Sequence, residues 1–207
     1  MKRFALILIA FALSVAAKGQ VTSSVMTLYS PFGDTGLVAM ETTGTGVNHV
    51  GYAYLEMGNW RGNNFGAYGQ FFWEQKFWNA PVFLHVEYRA EANYSYFQNA
   101  TYLGAAYTIN TNHGFLSIEP LFMWKEYGGV GGQLSIVGGW EWKRFLIETF
   151  NDLWKTHLTS EPVEFYSQTR LFLKLTQKFA LGIIGTLYYD FTNKADADAK
   201  ITLRWRF

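Results

Sequence analysis

The sequence predicts an all-β protein, an antiparallel transmembrane β-barrel of about twelve strands, with ten as the alternative count. Three observations carry this prediction. The stretch Ile201-Thr202-Leu203-Arg204-Trp205-Arg206-Phe207 alternates strictly between large apolar and polar side chains and stops on an aromatic, which describes a strand with one greasy and one charged face. Lys2 and Arg3 precede an apolar run from Phe4 to Ala16 and the small-residue region Ala16-Ala17-Lys18-Gly19, the parts of a secretory signal peptide. Nothing after residue 17 is long and apolar enough to span a bilayer as a helix, yet aromatic residues make up 19% of the chain, an excess that belts at two membrane interfaces would use.

The N-terminal run is shorter than the roughly 20 residues a spanning helix needs, so export is expected rather than anchoring. Residues 1–19 are expected to be a signal peptide, cleaved after Gly19 or alternatively after Ala17, and residues 20–207 to form a single barrel domain. The chain has no cysteine, so an exported fold must be stabilised without disulfides. A formal net charge of +1, with no basic block, nominates no nucleic-acid partner.

From residue 20 onward, β-rich segments fall near 21–30, 36–45, 49–59, 66–78, 82–92, 99–109, 114–125, 132–142, 145–154, 163–175, 179–191 and 199–207, separated by Gly, Asn, Asp, Pro and Thr clusters. The connections sort into two sets. Short turns are expected at Asn79-Ala80, from Asn110 to His113, at Lys143-Arg144 and at Thr176-Gln177-Lys178. Longer loops are expected at Pro31–Thr35, Asn59–Phe65, Asn93–Gln98, Glu126–Gly131, Lys155–Pro162 and Thr192–Asp198. Short periplasmic turns alternating with longer external loops are the pattern of an outer-membrane barrel, with the N-terminus on the inner side.

The period of two assigns faces. In the fifth segment Val82, Leu84, Val86 and Tyr88 face lipid, leaving Phe83, His85, Glu87 and Arg89 inward, and the turn at Asn79-Ala80 sets Glu74 opposite His85. In the tenth, Leu171, Leu173 and Leu175 face out while Gln168, Arg170, Phe172 and Lys174 face in. In the eighth and ninth, Leu134, Ile136, Trp140, Trp142, Phe145 and Ile147 lie outside, with Gln133, Ser135, Glu141, Glu148 and Asp152 inside. The third segment stays open, because placing Glu56 in the lumen also places Tyr52 and Tyr54 there. Arg or Lys left on the lipid face near the midplane costs roughly 2 to 4 kcal/mol, which drives charges inward. The expected interior therefore sets Glu74, Glu87, Glu119, Glu141, Glu148, Asp152 and Asp190 against Lys76, Arg89, Lys125, Arg170, Lys174, Arg204 and Arg206.

Enzyme chemistry is not expected. His85 beside Glu74 and Glu87 has the makings of a base and its orienter, but no serine is fixed near it by sequence. His113 falls in a turn, and His157 in a loop near Thr156, Thr159 and Ser160. There is no cysteine and no closely spaced histidine pair, so neither a metal site nor a cofactor is expected. Gly128-Gly129-Val130-Gly131-Gly132 does not lead a strand into a helix and makes no phosphate loop.

The segments Lys76-Phe77-Trp78, His85-Val86-Glu87-Tyr88, Glu161-Pro162 with Phe165-Tyr166, and Arg204-Trp205-Arg206-Phe207 resemble those of an outer-membrane barrel family of Bacteroidetes grouped with the Tsx-like nucleoside channels. The resemblance implies a monomeric twelve-strand barrel in the bacterial outer membrane, and more loosely the passage of nucleosides or similar small polar solutes. The expected partners are outer-membrane lipid, the barrel-insertion machinery through Phe207, and the solute. The residues expected to line the lumen and meet it are Glu74, His85, Glu87, Arg89, Glu119, Glu148, Asp152, Gln168, Arg170, Phe172, Lys174, Arg204 and Arg206. The alternative is a non-conducting structural or lipid-modifying barrel whose interior is plugged by its own salt bridges.

Overall fold

The computed structural model describes residues 20–30, 35–46, 48–60, 64–76, 80–93, 97–126, 129–156, 162–192 and 194–207; the expected signal peptide and both its cleavage sites lie outside them. The strands are β1 (Gln20–Ser30), β2 (Thr35–Thr45), β3 (His49–Trp60), β4 (Asn64–Lys76), β5 (Val82–Asn93), β6 (Phe97–Thr111), β7 (Gly114–Lys125), β8 (Gly129–Trp142), β9 (Phe145–Lys155), β10 (Glu164–Lys174), β11 (Phe179–Asp190) and β12 (Lys194–Arg206). Each pairs antiparallel with the next, and β12 returns to β1, so the sheet closes as a twelve-stranded barrel. Closure leaves no free strand edge, the condition for β-structure in lipid.

The ladders fix which side chains share a face. Across all twelve strands the outward row carries no Asp, Glu, Lys or Arg except Lys155 at the end of β9. That row is instead a belt of exposed apolar side chains, among them Leu84, Val86, Leu103, Phe122, Trp124, Ile136, Leu171, Ile183 and Leu203. Such a belt has lipid as its solvent, because an aqueous surface of this size would associate. The chain is thus an outer-membrane barrel by its construction.

The strands run further than the alternation implied, especially at the rim away from the start of β1. β6 starts at Phe97, β8 at Gly129 and β12 at Lys194, so residues expected in loops continue the ladder. The expected contrast in loop length shrinks accordingly. Residues 61–63, 94–96, 126–128 and 191–193 make connections no longer than those at 77–81 and 175–178, and 156–163 stands out as long. The physical reason is that backbone N–H and C=O groups at that rim are better satisfied by a continuing ladder than by a loop. At the other rim the two-residue connection 143–144 is made possible by Lys143 at φ 53°.

The proposed register between the fourth and fifth strands holds. Glu74 stands opposite His85. Tyr52 and Tyr54 are buried within the barrel on the row that includes Glu56, which settles the third strand. One ladder is interrupted: the β6–β7 pairing omits Ala105 and Ala106, opposite Glu119 and Pro120, where proline has no N–H to give.

Candidate functional site

All thirteen residues expected in the lumen lie on the inward row. They are not equivalent. His85, Glu87, Phe172, Arg170 and Arg204 are buried, as are Glu74, Glu119 and Asp152, whereas Arg89, Glu148, Gln168, Lys174 and Arg206 keep partial contact with water. Glu141, also expected inside, sits at the rim, half exposed, and pairs with Lys174.

Two ion-pair assemblies cross the interior. In the first, Arg204 gives both terminal nitrogens to Glu148 at 2.7 Å each and reaches Glu41 at 3.2 Å. Arg170 donates to the same Glu41 at 3.2 Å and lies 3.6 Å from Glu148. The four side chains come from β2, β9, β10 and β12 and close a neutral ring of two arginines and two glutamates. In the second, Arg89 of β5 binds Glu87 on its own strand and spans to Asp152 of β9 at 2.8 Å. Ser135 donates to the other oxygen of Asp152 at 2.7 Å, and Gln70 donates to Glu87 at 2.6 Å. Arg89 and Arg170 each bridge positions four strands apart around the wall, so both pairs reach across the lumen.

Aromatic rings support the arginines. Arg204 lies 3.9 Å over the centre of Phe172, Arg170 lies 4.7 Å over Phe150 and 5.4 Å over Tyr54, and Arg89 lies 4.7 Å over Tyr102. A ring quadrupole attracts a cation at these distances, most strongly where water is excluded. Phe172 was expected to offer its face to a solute; Arg204 covers it instead, and it is 2% exposed. Around these arginines the interior is partly apolar, which the sequence reading did not foresee. Met26, Leu28, Leu37, Leu146 and Ile184 turn inward and pack with Phe172.

The half of the barrel away from the start of β1 is wetter. Glu56, Trp154, Glu164, Tyr166, Gln168, Thr186, Tyr188 and Asp198 face inward there and are half-buried. Gln168 donates to the Tyr166 hydroxyl at 3.0 Å, Tyr188 donates to Glu164 at 2.5 Å, and the Trp154 and Tyr188 rings lie 6.2 Å apart. This half offers ring faces beside hydrogen-bonding groups.

Glu41 was the residue sequence reasoning missed, although it joins both arginines of the first ring. A lone charge in a strand that is apolar on both faces must point inward, and that signal was available. The glutamates around His85 were expected inward but not as one cluster. Glu74, His85 and Glu119 come from β4, β5 and β7, and three of their ligating atoms lie within 4.8 Å of one another. His157, Thr159 and Ser160 lie outside the described residues, as do Phe77, Trp78 and Glu161 of the resembling segments.

No family model matches the chain, and no curated protein matches it. Among solved structures it is similar to a NanC porin, at 11% identity over 88% of this chain and 98% of that one, with a TM-score of 0.63. It is also similar to a KdgM porin in complex with disordered oligogalacturonate, at 11% identity over 90% and 99%, with a TM-score of 0.58. At these identities the likeness is one of fold, and it extends over nearly the whole of each chain.

Proposed function

We propose that the protein is a narrow outer-membrane channel for small polar solutes, working as a monomer because every described strand finds its partners within one chain. The observation that carries this reading is the cross-lumen charge arrangement, in which arginines on β5 and β10 meet carboxylates four strands away around the wall. Opposed charges across a constriction pass small dipolar or neutral polar solutes and hold back large ions. The porin fold supports the same reading. The finer reading takes the solute to be flat and nucleoside-like, following the Tsx resemblance. Tyr166, Tyr188 and Trp154 can stack a base, worth about 1 to 3 kcal/mol per base, while Gln168 and Glu164 meet sugar hydroxyls.

Purified protein in planar bilayers tests the channel directly. Wild type should conduct, and Arg206→Glu, altering a half-buried charge near the rim, should move the reversal potential in a salt gradient toward cation selectivity. In liposomes, uridine should enter faster than a sugar of equal size, and Tyr166→Ala should reduce that preference. Equal rates would leave a general pore. A second reading, the plugged barrel, is favoured by the near-complete burial of Arg204, Phe172 and Met26, and absence of conductance in wild type and variant alike would establish it.

A further inference from the structure

One cluster in the wall carries chemistry that neither a channel nor a plug requires. Nδ1 of His85 stands 3.0 Å from Glu74 Oε1 and 3.8 Å from Glu119 Oε2, and all three residues are buried. Zinc ligands held at about 2.0 to 2.2 Å in a tetrahedral arrangement lie about 3.3 to 3.6 Å from one another; the two distances from His85 fall on either side of that spacing, and all three ligating atoms lie within 4.8 Å of one another.

The opposite nitrogen supplies an independent observation. Nε2 of His85 lies 3.2 Å from Glu87 Oε2. An ionised carboxylate only accepts, so Nε2 holds a proton and Nδ1 is left facing two further acceptors. A dication satisfies both at once. Glu87 then stands as the carboxylate that orients a metal-bound imidazole through its far nitrogen.

The charge count agrees. Glu74, Glu87, Glu119 and Asp152 surround two possible cations, Arg89 and a protonated His85. Among the described residues no Lys or Arg, Lys76 included, comes within 4.0 Å of Glu74 or Glu119 to form an ion pair. A buried carboxylate is paired, bound to a metal ion or neutralised by a proton, and metal retention separates these outcomes.

The fold also prepares the approach. β6 separates His85 from Glu119, and the β6 residues between them are Gly104, opposite His85, and Ala106, opposite Phe83. These small residues let Glu119 reach over β6 to the imidazole. Phe72 stacks on the His85 ring at 5.2 Å between centroids and fixes its plane.

We propose that Glu74, His85 and Glu119 bind one divalent transition-metal ion, with Glu87 positioning His85. One imidazole with two carboxylates suits zinc better than the all-oxygen cations magnesium and calcium. The site does not depend on the channel reading. Full-length protein folded in detergent with and without zinc chloride, then passed over a chelating resin, is to be assayed for bound metal by elemental analysis. Wild type should retain one equivalent. Glu119→Gln and His85→Gln should lose it, and Glu87→Gln should weaken retention by about 10- to 100-fold. Each variant's folding is followed by the gel mobility of unheated samples. Zinc-edge X-ray absorption of wild type should show one nitrogen and at least two oxygens in the first shell, a readout that holds even where a variant fails to fold. Failure of wild type to retain zinc, or a first shell of water oxygens alone, overturns the proposal.

Discussion

Replacing Arg204 by alanine measures how dry the barrel interior is. The guanidinium is 1% exposed, makes two 2.7 Å bonds to Glu148 and one of 3.2 Å to Glu41, and rests 3.9 Å above Phe172. Two unit charges 4 Å apart attract by about 1 kcal/mol in bulk water and about 4 kcal/mol at an effective dielectric constant of 20. Removing one member of a buried pair strands the other, at a cost of about 3 to 5 kcal/mol. Arg204→Ala should therefore destabilise the barrel by about 3 to 5 kcal/mol. The double replacement Arg204→Met with Glu148→Met leaves Arg170 and Glu41 paired and fills the space, so it should cost far less than the single change. Reversible urea unfolding from lipid vesicles, followed by the fluorescence of the chain's 8 tryptophans, gives both values. A loss below about 1 kcal/mol, the range of exposed ion pairs, would mean that water solvates the guanidinium and that the packed interior is not the source of stability.

A twelve-stranded barrel in detergent should give a β-type circular dichroism spectrum and migrate differently before and after boiling; a helical spectrum, or solubility without detergent, would refute it. Deleting Phe207, whose ring lies 5.5 Å from Trp205 and whose N–H donates to Ser23 at 3.1 Å, should lower the amount of inserted barrel in cells while export continues. Unchanged insertion would reduce Phe207 to one more interfacial aromatic. A Cβ at Gly182 would stand 2.4 Å from Phe172 Cδ1 and 2.7 Å from the Leu171 carbonyl oxygen, so Gly182→Val should displace both the Phe172 ring beneath Arg204 and the local backbone, and cost about 1 to 3 kcal/mol in the same unfolding assay. Gly185→Ala, whose Cβ would meet nothing within 4 Å, is the control that should be neutral.

The barrel was legible in the sequence because lipid imposes one rule on every strand. A charge in a strand has to point inward, and each inward charge fixes the parity of its neighbours. His85, Glu87 and Arg89 set β5, and Arg170 with Lys174 set β10, so those strands were assigned correctly from the pattern. Where a strand is apolar on both faces the period of two is silent. In β2, Leu37 and Ala39 face in while Val38 and Met40 face out, and only Glu41 marks the parity. The same holds in β3, where Glu56 decides that Tyr52 and Tyr54 belong inside. Strand ends were legible least, because continuation of a ladder beyond the bilayer depends on backbone pairing that side-chain alternation does not record.

The interior clusters obey a different geometry, and that is why they were hidden. A hairpin turn fixes the register of adjacent strands, so Glu74 opposite His85 follows from the chain alone. Contacts between non-adjacent strands depend on how far each side chain reaches and on what the strand between them leaves open. Glu119 meets His85 because β6 presents Gly104 and Ala106 where a larger residue would stand in the way, and Arg89 meets Asp152 because an arginine can span a lumen that a shorter cation could not. A motif defined by spacing along one strand cannot contain such a site. Small residues on the inward face of a strand flanked by charged neighbours are the sequence mark of one, and in this chain that mark falls on Gly104 and Ala106, beside the cluster proposed to hold a metal ion.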